Sequence, residues 1–201
     1  MSDAAPDAAQ RYSTVAIVLH WAIAALIVTN IVIGLRFDDV HGLAKFSLLQ
    51  WHKSFGITVL ILSLCRLGWR LAHPPPPYPP QMLAWEKAAA STVHWAFYAL
   101  LLALPLTGWM IVSASPTNIP TLLYKIIPWP HIGPIHALPM PVRKRLEGQV
   151  TGVHEVLAWT AMVLLALHVA AALKHHFWNR DQVLWRMAPV KAMKPVAAKD
   201  S

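Results

Sequence analysis

A single cysteine, Cys65, stands in a chain of 201 residues. One thiol excludes an intramolecular disulfide. It also excludes the C-x-x-C-H signature through which a c-type haem is covalently attached. Charge is scarce as well. Asp, Glu, Lys and Arg make up 13% of the residues, where a soluble domain carries about 25%. So few charges suit a surface that faces lipid. Acidic residues are the rarest of all, nine against seventeen Lys and Arg, which leaves a formal net charge of +8. That balance alone would fit a nucleic-acid binder. The basic residues, however, sit in the segments between apolar stretches and form no continuous stripe. They read as topology and anion-attracting charge, and no nucleic-acid partner is expected.

Hydrophobic residues make up 56% of the chain, and ten of them are Trp, the residue that collects at the two membrane interfaces. Four apolar stretches, about 15–35, 51–71, 92–112 and 152–173, reach the roughly 20 residues a bilayer crossing needs. The first is too long for a signal h-region and lacks a clear cleavage site, so it reads as a retained helix. The run from His73 to Pro80 holds six prolines and reads as a stiff polyproline connector. Seven prolines between 114 and 150 predict a long loop with a short interfacial turn. The expected fold is all-α, an integral membrane four-helix bundle. Residues 1–10 read as a disordered N-terminus, 11–189 as one transmembrane domain and 190–201 as a basic flexible tail. With the N-terminus inside, ten basic residues fall on the cytoplasmic side and seven outside. The positive-inside rule therefore places both termini in the cytoplasm, as for a multi-pass protein of a bacterial inner membrane.

Ionisable residues within a span are costly and are functional candidates by default. Five histidines lie in or at the ends of the spans: His20, His52, His94, His154 and His168. A plain polar core residue is the bland reading of any one of them. Their arrangement argues otherwise. His154 and His168 lie 14 residues apart, close to four turns, so both project from one helix face about 21 Å apart along the axis. One metal ion cannot bind both, but two stacked haems can use one each. Following the helices through the bilayer pairs His52 with His154 towards the outside and His20 with His168 towards the inside. Each pair offers two neutral imidazoles as axial ligands to one iron. Gly56, one turn after His52, and Ala24, Ala161, Ala171 and Ala172 offer small surface for a porphyrin or for plain helix packing. His94 shares the inner depth. It is read as a hydrogen-bond or quinone contact, with replacement of His20 or His168 as ligand left open. Arg66 and Arg70, one turn apart, are candidates for haem propionates, or equally for snorkelling topology anchors.

These residues resemble the bacterial di-haem cytochrome b561 family, and within it the members like superoxide oxidase. The resemblance rests on His20-Trp21, His52-x-x-x-Gly56, Arg66-x-x-x-Arg70, and on His94, Tyr98, Ala103-Leu104-Pro105 and Gly108 in the third span. It continues through His154-Glu155, His168, His175-His176-Phe177-Trp178 and Leu184, Arg186 and Met187. Each motif is weak alone, and the ordered set spans about 11–189. The resemblance implies two haem b groups and electron exchange with membrane ubiquinone. It also implies ligation at His20, His52, His154 and His168, and a quinone near His175. It assigns nothing to His176.

The outer segments sum to +4, from Arg36, Asp38, Asp39, Lys45, Lys53, Lys125, Arg143, Lys144, Arg145 and Glu147. Such a field would gather a small anion such as superoxide. Three functions follow: superoxide oxidation with ubiquinone as acceptor; a haem b electron-transfer subunit serving a separate dehydrogenase or hydrogenase; or a histidine-based membrane metal transporter. The first and its superoxide:quinone oxidoreductase activity are preferred, since no large soluble domain is present. A monomer is compatible with it.

Overall fold

The computed structural model describes residues 11–78, 82–179 and 183–189. The expected disordered N-terminus and basic tail lie outside these residues. Four long helices dominate: α1 (Thr14–Leu35), α2 (Gly42–Ala72), α3 (Ala84–Ala114) and α5 (Met140–Phe177). A two-stranded antiparallel hairpin, β1 (Thr121–Leu123) and β2 (Ile127–Trp129), and a short α4 (Gly133–His136) lie between α3 and α5. A 3₁₀ turn, Trp185–Met187, follows α5.

All four long helices have the length and composition to cross a membrane, and the chain is a multi-pass membrane protein. Three of them outrun the hydropathy boundaries. At about 1.5 Å per residue, the 31 residues of α2 and of α3 span roughly 47 Å, well past a hydrocarbon core of about 30 Å. The expected 114–150 loop is corrected most. Its last eleven residues are helix, because Pro139 is the extended N-cap of α5 and Pro141 sits in the first turn, where a missing N–H costs nothing. The polar run from Arg143 to Glu147 escapes a hydropathy scan, yet helix geometry satisfies its backbone outside the lipid as well as inside it.

Hydrogen bonds fix the helix directions. Trp69 near the end of α2 donates to Ser13, the N-cap of α1, at 2.9 Å. Lys174 near the end of α5 pairs with Glu86 at the start of α3 at 3.0 Å. The 3₁₀ turn folds back on the N-terminal segment: the Tyr12 N–H donates to Arg186 O at 3.2 Å, and Trp21 Nε1 donates to Met187 O at 2.7 Å. One end of the bundle, the terminal end, therefore gathers the starts of α1 and α3 and the ends of α2 and α5. The other is the cap end, where α2 and α3 pin the hairpin. Gln50 donates to Pro120 O and accepts from the Leu122 N–H, at 2.9 and 3.0 Å. The Tyr124 N–H donates to Ser54 Oγ at 2.7 Å, and the Ile132 N–H to Ser113 Oγ at 2.9 Å. Arg143, 5% exposed, donates to the carbonyls of Ala114 and Ser115 and to Asn118 Oδ1.

The interior is inverted relative to a soluble protein. Gln50, Ser54, Ser63 and Ser113 are fully buried, whereas Val18, Val32, Val156 and Leu167 are more than half exposed. Aliphatic side chains outside and small polar ones inside is the distribution lipid imposes. Neighbours pack in the order α1–α2–α3–α5. Between α1 and α5 runs an apolar cleft of about 240 Å³, lined by Val28, Ile31 and Val32 on one side and by Met162, Leu165, Ala166 and Val169 on the other.

Candidate functional site

The antiparallel order sorts the histidines into two layers. At the cap end, His52 of α2 faces His154 of α5 with ring centres 6.4 Å apart. Towards the terminal end, His20 of α1 faces His168 of α5 at 6.3 Å. Two imidazoles bound through one nitrogen each to a single iron, at bond lengths of about 2 Å, have ring centres about 6 Å apart. Both pairs therefore have the separation of bis-imidazole ligation. His94 of α3 also lies 6.2 Å from His168, so geometry alone allows either His20 or His94 as its counterpart. Phe97 meets the His168 ring edge-on at 5.4 Å.

The Nδ1 atoms of His52 and His94 are buried with no side-chain hydrogen-bond partner among the described residues, and the Asn30 backbone lies beside His52. Glycines also back both cap-end rings. A Cβ on Gly34 of α1 would meet His52 Cε1 at 3.5 Å, and one on Gly108 of α3 would meet His154 Cε1 at 3.5 Å. Gly56, expected to offer small surface, lies opposite Asn30, whose Nδ2 would be 3.9 Å from a Cβ built there. Gly34 was missed because hydropathy treats a glycine near a helix end as a packing residue. Its depth, level with His52, is the signal that would have found it. Thr107 was missed too. Its hydroxyl lies 2.9 Å from His154 Nδ1.

At the terminal end, Arg66 and Arg70 line a cavity of about 190 Å³ together with Arg11, Tyr12, Trp69 and Tyr98. Arg66 Nε donates to the Tyr98 hydroxyl at 3.4 Å, and the Arg70 guanidinium lies over the Trp95 and Tyr98 rings. Neither arginine has a carboxylate partner among the described residues. Burial raises the Tyr12 hydroxyl pKa against the opposing pull of Arg70. His175 is buried, its Nδ1 3.2 Å from the Asn179 amide. His176 packs edge-on against Phe177 and Trp185.

The family model of prokaryotic cytochrome b561 matches residues 11–189. A probable superoxide oxidase of Yersinia pestis is 28% identical over 186 residues, covering 90% of this chain and 98% of that protein. Cytochrome b561 homolog 2 of Escherichia coli is 29% identical over 184 residues, covering 89% and 91%. Cytochrome b561 homolog 1 of the same organism is 29% identical over 181 residues, covering 89% and 97%. The match runs through all four membrane helices and both histidine layers, and the chain belongs to the prokaryotic cytochrome b561 family of haem b membrane electron carriers.

Proposed function

We propose that this chain holds two haems, one between His52 and His154 and one between His20 and His168, and that it oxidises superoxide at the cap end while reducing ubiquinone at the terminal end. The observation that carries this reading is the pair of facing imidazoles at two depths, 6.4 and 6.3 Å apart. Haem b, when bound, supplies a one-electron redox centre at each depth. The overall reaction takes two superoxide anions, one quinone and two protons to two dioxygen molecules and one quinol.

The chain's residues divide the remaining tasks. Arg66 and Arg70, cationic and without a carboxylate partner among the described residues, suit haem propionates. His175, hydrogen-bonded to Asn179 at the terminal end, suits proton delivery to a reduced quinone. The terminal end faces the cytoplasm in this reading. The cap end meets the anion, on a smaller surface than the sequence suggests. Arg36 pairs with Asp39, Lys53 donates to Pro120 O, Lys125 to Ser47, and Arg143 is buried among carbonyls. Lys45, Lys125, Lys144 and Arg145 remain as exposed cations there, because the bond from Lys125 to the neutral Ser47 hydroxyl leaves its charge in place. The probable superoxide oxidase from Yersinia pestis supports this donor, and the cap-end charge supports it independently.

The test uses purified protein. Two b-type haems per chain, and quinone reduction driven by superoxide with no other subunit present, are the expected results. A chain without a haem absorbance band would end both redox readings and leave the metal transporter. Two haems with no reduction unless a second protein is added would make the chain an electron-transfer subunit.

A further inference from the structure

Of the five membrane histidines, His154 alone among the described residues has a ring nitrogen held by a side chain. Thr107 Oγ1 lies 2.9 Å from His154 Nδ1. The same hydroxyl lies 2.9 Å from Ala103 O and 2.9 Å from Leu104 O. Carbonyl oxygens only accept, so the hydroxyl's one proton points to them and its lone pair faces the imidazole. His154 Nδ1 must then be the donor. That fixes the tautomer: the proton sits on Nδ1, and Nε2 keeps a free lone pair for a metal. Gly108, the next residue, faces the same ring, and a Cβ there would meet His154 Cε1 in ordinary contact at 3.5 Å. On the other side, His52 Nδ1 has no such partner, although the Asn30 backbone lies beside it. The position on α1 that matches Thr107, one residue before the backing glycine, is Ile33, which carries no hydroxyl.

We propose that Thr107 is a positioning residue that locks His154 in the ligating tautomer and lowers the reduction potential of the cap-end haem below that of the other. The inference rests on the reading that His52 and His154 are ligands. A ligating imidazole that donates its second N–H becomes a more basic ligand. A more basic ligand favours ferric over ferrous iron and so lowers the potential for taking up one electron. His20, His94 and His168 have no comparable hydrogen bond among the described residues, so the two layers differ. An electron arriving at the cap end then moves to a site of higher potential towards the terminal end, which is the direction quinone reduction needs.

The experiment is a redox titration of the haem bands in purified wild type, Thr107→Val, which is isosteric but cannot accept, and Thr107→Ser, which can. Thr107→Val should shift one haem roughly tenfold towards the reduced form, about 59 mV for a one-electron couple, and leave the other unchanged. Thr107→Ser should titrate as wild type. If Thr107→Val instead loses one haem, consistent with the 10–100-fold affinity penalty of a lost outer-shell partner, Thr107→Ser should restore it. Unchanged titration in Thr107→Val, equal shifts of both haems, or failure of Thr107→Ser to restore wild-type behaviour would overturn the proposal. His154→Ala separates the two levels. Loss of one haem there with an unchanged Thr107→Val leaves the ligand reading standing and removes only the role of Thr107. Retention of both haems in His154→Ala removes both.

Discussion

Replacing Gly108 with valine should strip the cap-end haem while leaving the other in place. A Cβ built on Gly108 meets His154 Cε1 at 3.5 Å and Nδ1 at 3.9 Å, which is ordinary carbon contact. Alanine therefore fits without moving the ring, and it should favour the helix by roughly 0.5–1 kcal/mol over glycine. A valine γ-carbon extends about 1.5 Å further. Directed at the ring, it would approach within about 2 Å of Cε1, some 1.5 Å inside contact distance. His154 must then swing by more than the roughly 0.5 Å that a functional constellation tolerates. One axial nitrogen is lost, and haem affinity at this site should fall by at least the 10–100-fold typical of weaker, outer-shell damage. Gly34 provides an internal replicate. It backs His52 at the same 3.5 Å, so Gly34→Val should remove the same haem from the opposite side. The assay is haem per chain, with the reduced α-band resolved for each variant. Full haem content with an unshifted spectrum in Gly108→Val, or haem loss in Gly108→Ala, would refute the reasoning.

Three further outcomes are expected. His52→Ala and His154→Ala should each lose the cap-end haem and keep the other, and His20→Ala and His168→Ala should do the reverse; retention of both haems in His20→Ala with loss in His94→Ala would move the ligand from α1 to α3, which the 6.2 Å spacing to His168 permits. Arg143→Met should loosen the cap by about 1.5–3 kcal/mol, because it strands the carbonyls of Ala114 and Ser115 and the Asn118 amide oxygen; hydrogen exchange across 115–139 would report it, and unchanged protection there would count against it. Burial, followed by the charge of His136, holds the His131 imidazole below its usual pKa of about 6.5. Just below that pH the unfolded chain binds more protons than the folded one, so the stabilisation is complete above about pH 6.5 and is lost as pH falls; thermal melts of His131→Gln should be flatter across pH 5–7 than those of wild type.

The membrane helices were legible in the sequence because lipid leaves only one solution for a long apolar run: a helix that satisfies its own backbone. Histidine depth was legible too, since alternating helices give each residue a level by counting alone. What hydropathy misses is helix that leaves the bilayer. The start of α5 at Met140 and the hairpin at 121–129 depend on Pro139 as a cap and on Gln50, Ser54 and Ser113 as anchors. Local composition does not reveal these contacts, because each joins residues far apart in the chain.

The sequence by itself therefore determined the number of helices, their alternation, and the sorting of the histidines into two layers. Those properties follow from periodicity, length and the cost of charge in hydrocarbon. Only the tertiary structure decided what stands behind each ring: Gly34 against His52, Gly108 and Thr107 against His154, and the approach of His94 to within 6.2 Å of His168. Side-by-side packing sets these neighbours through the rotation of each helix about its own axis. Hydropathy fixes a helix's depth far more firmly than that rotation.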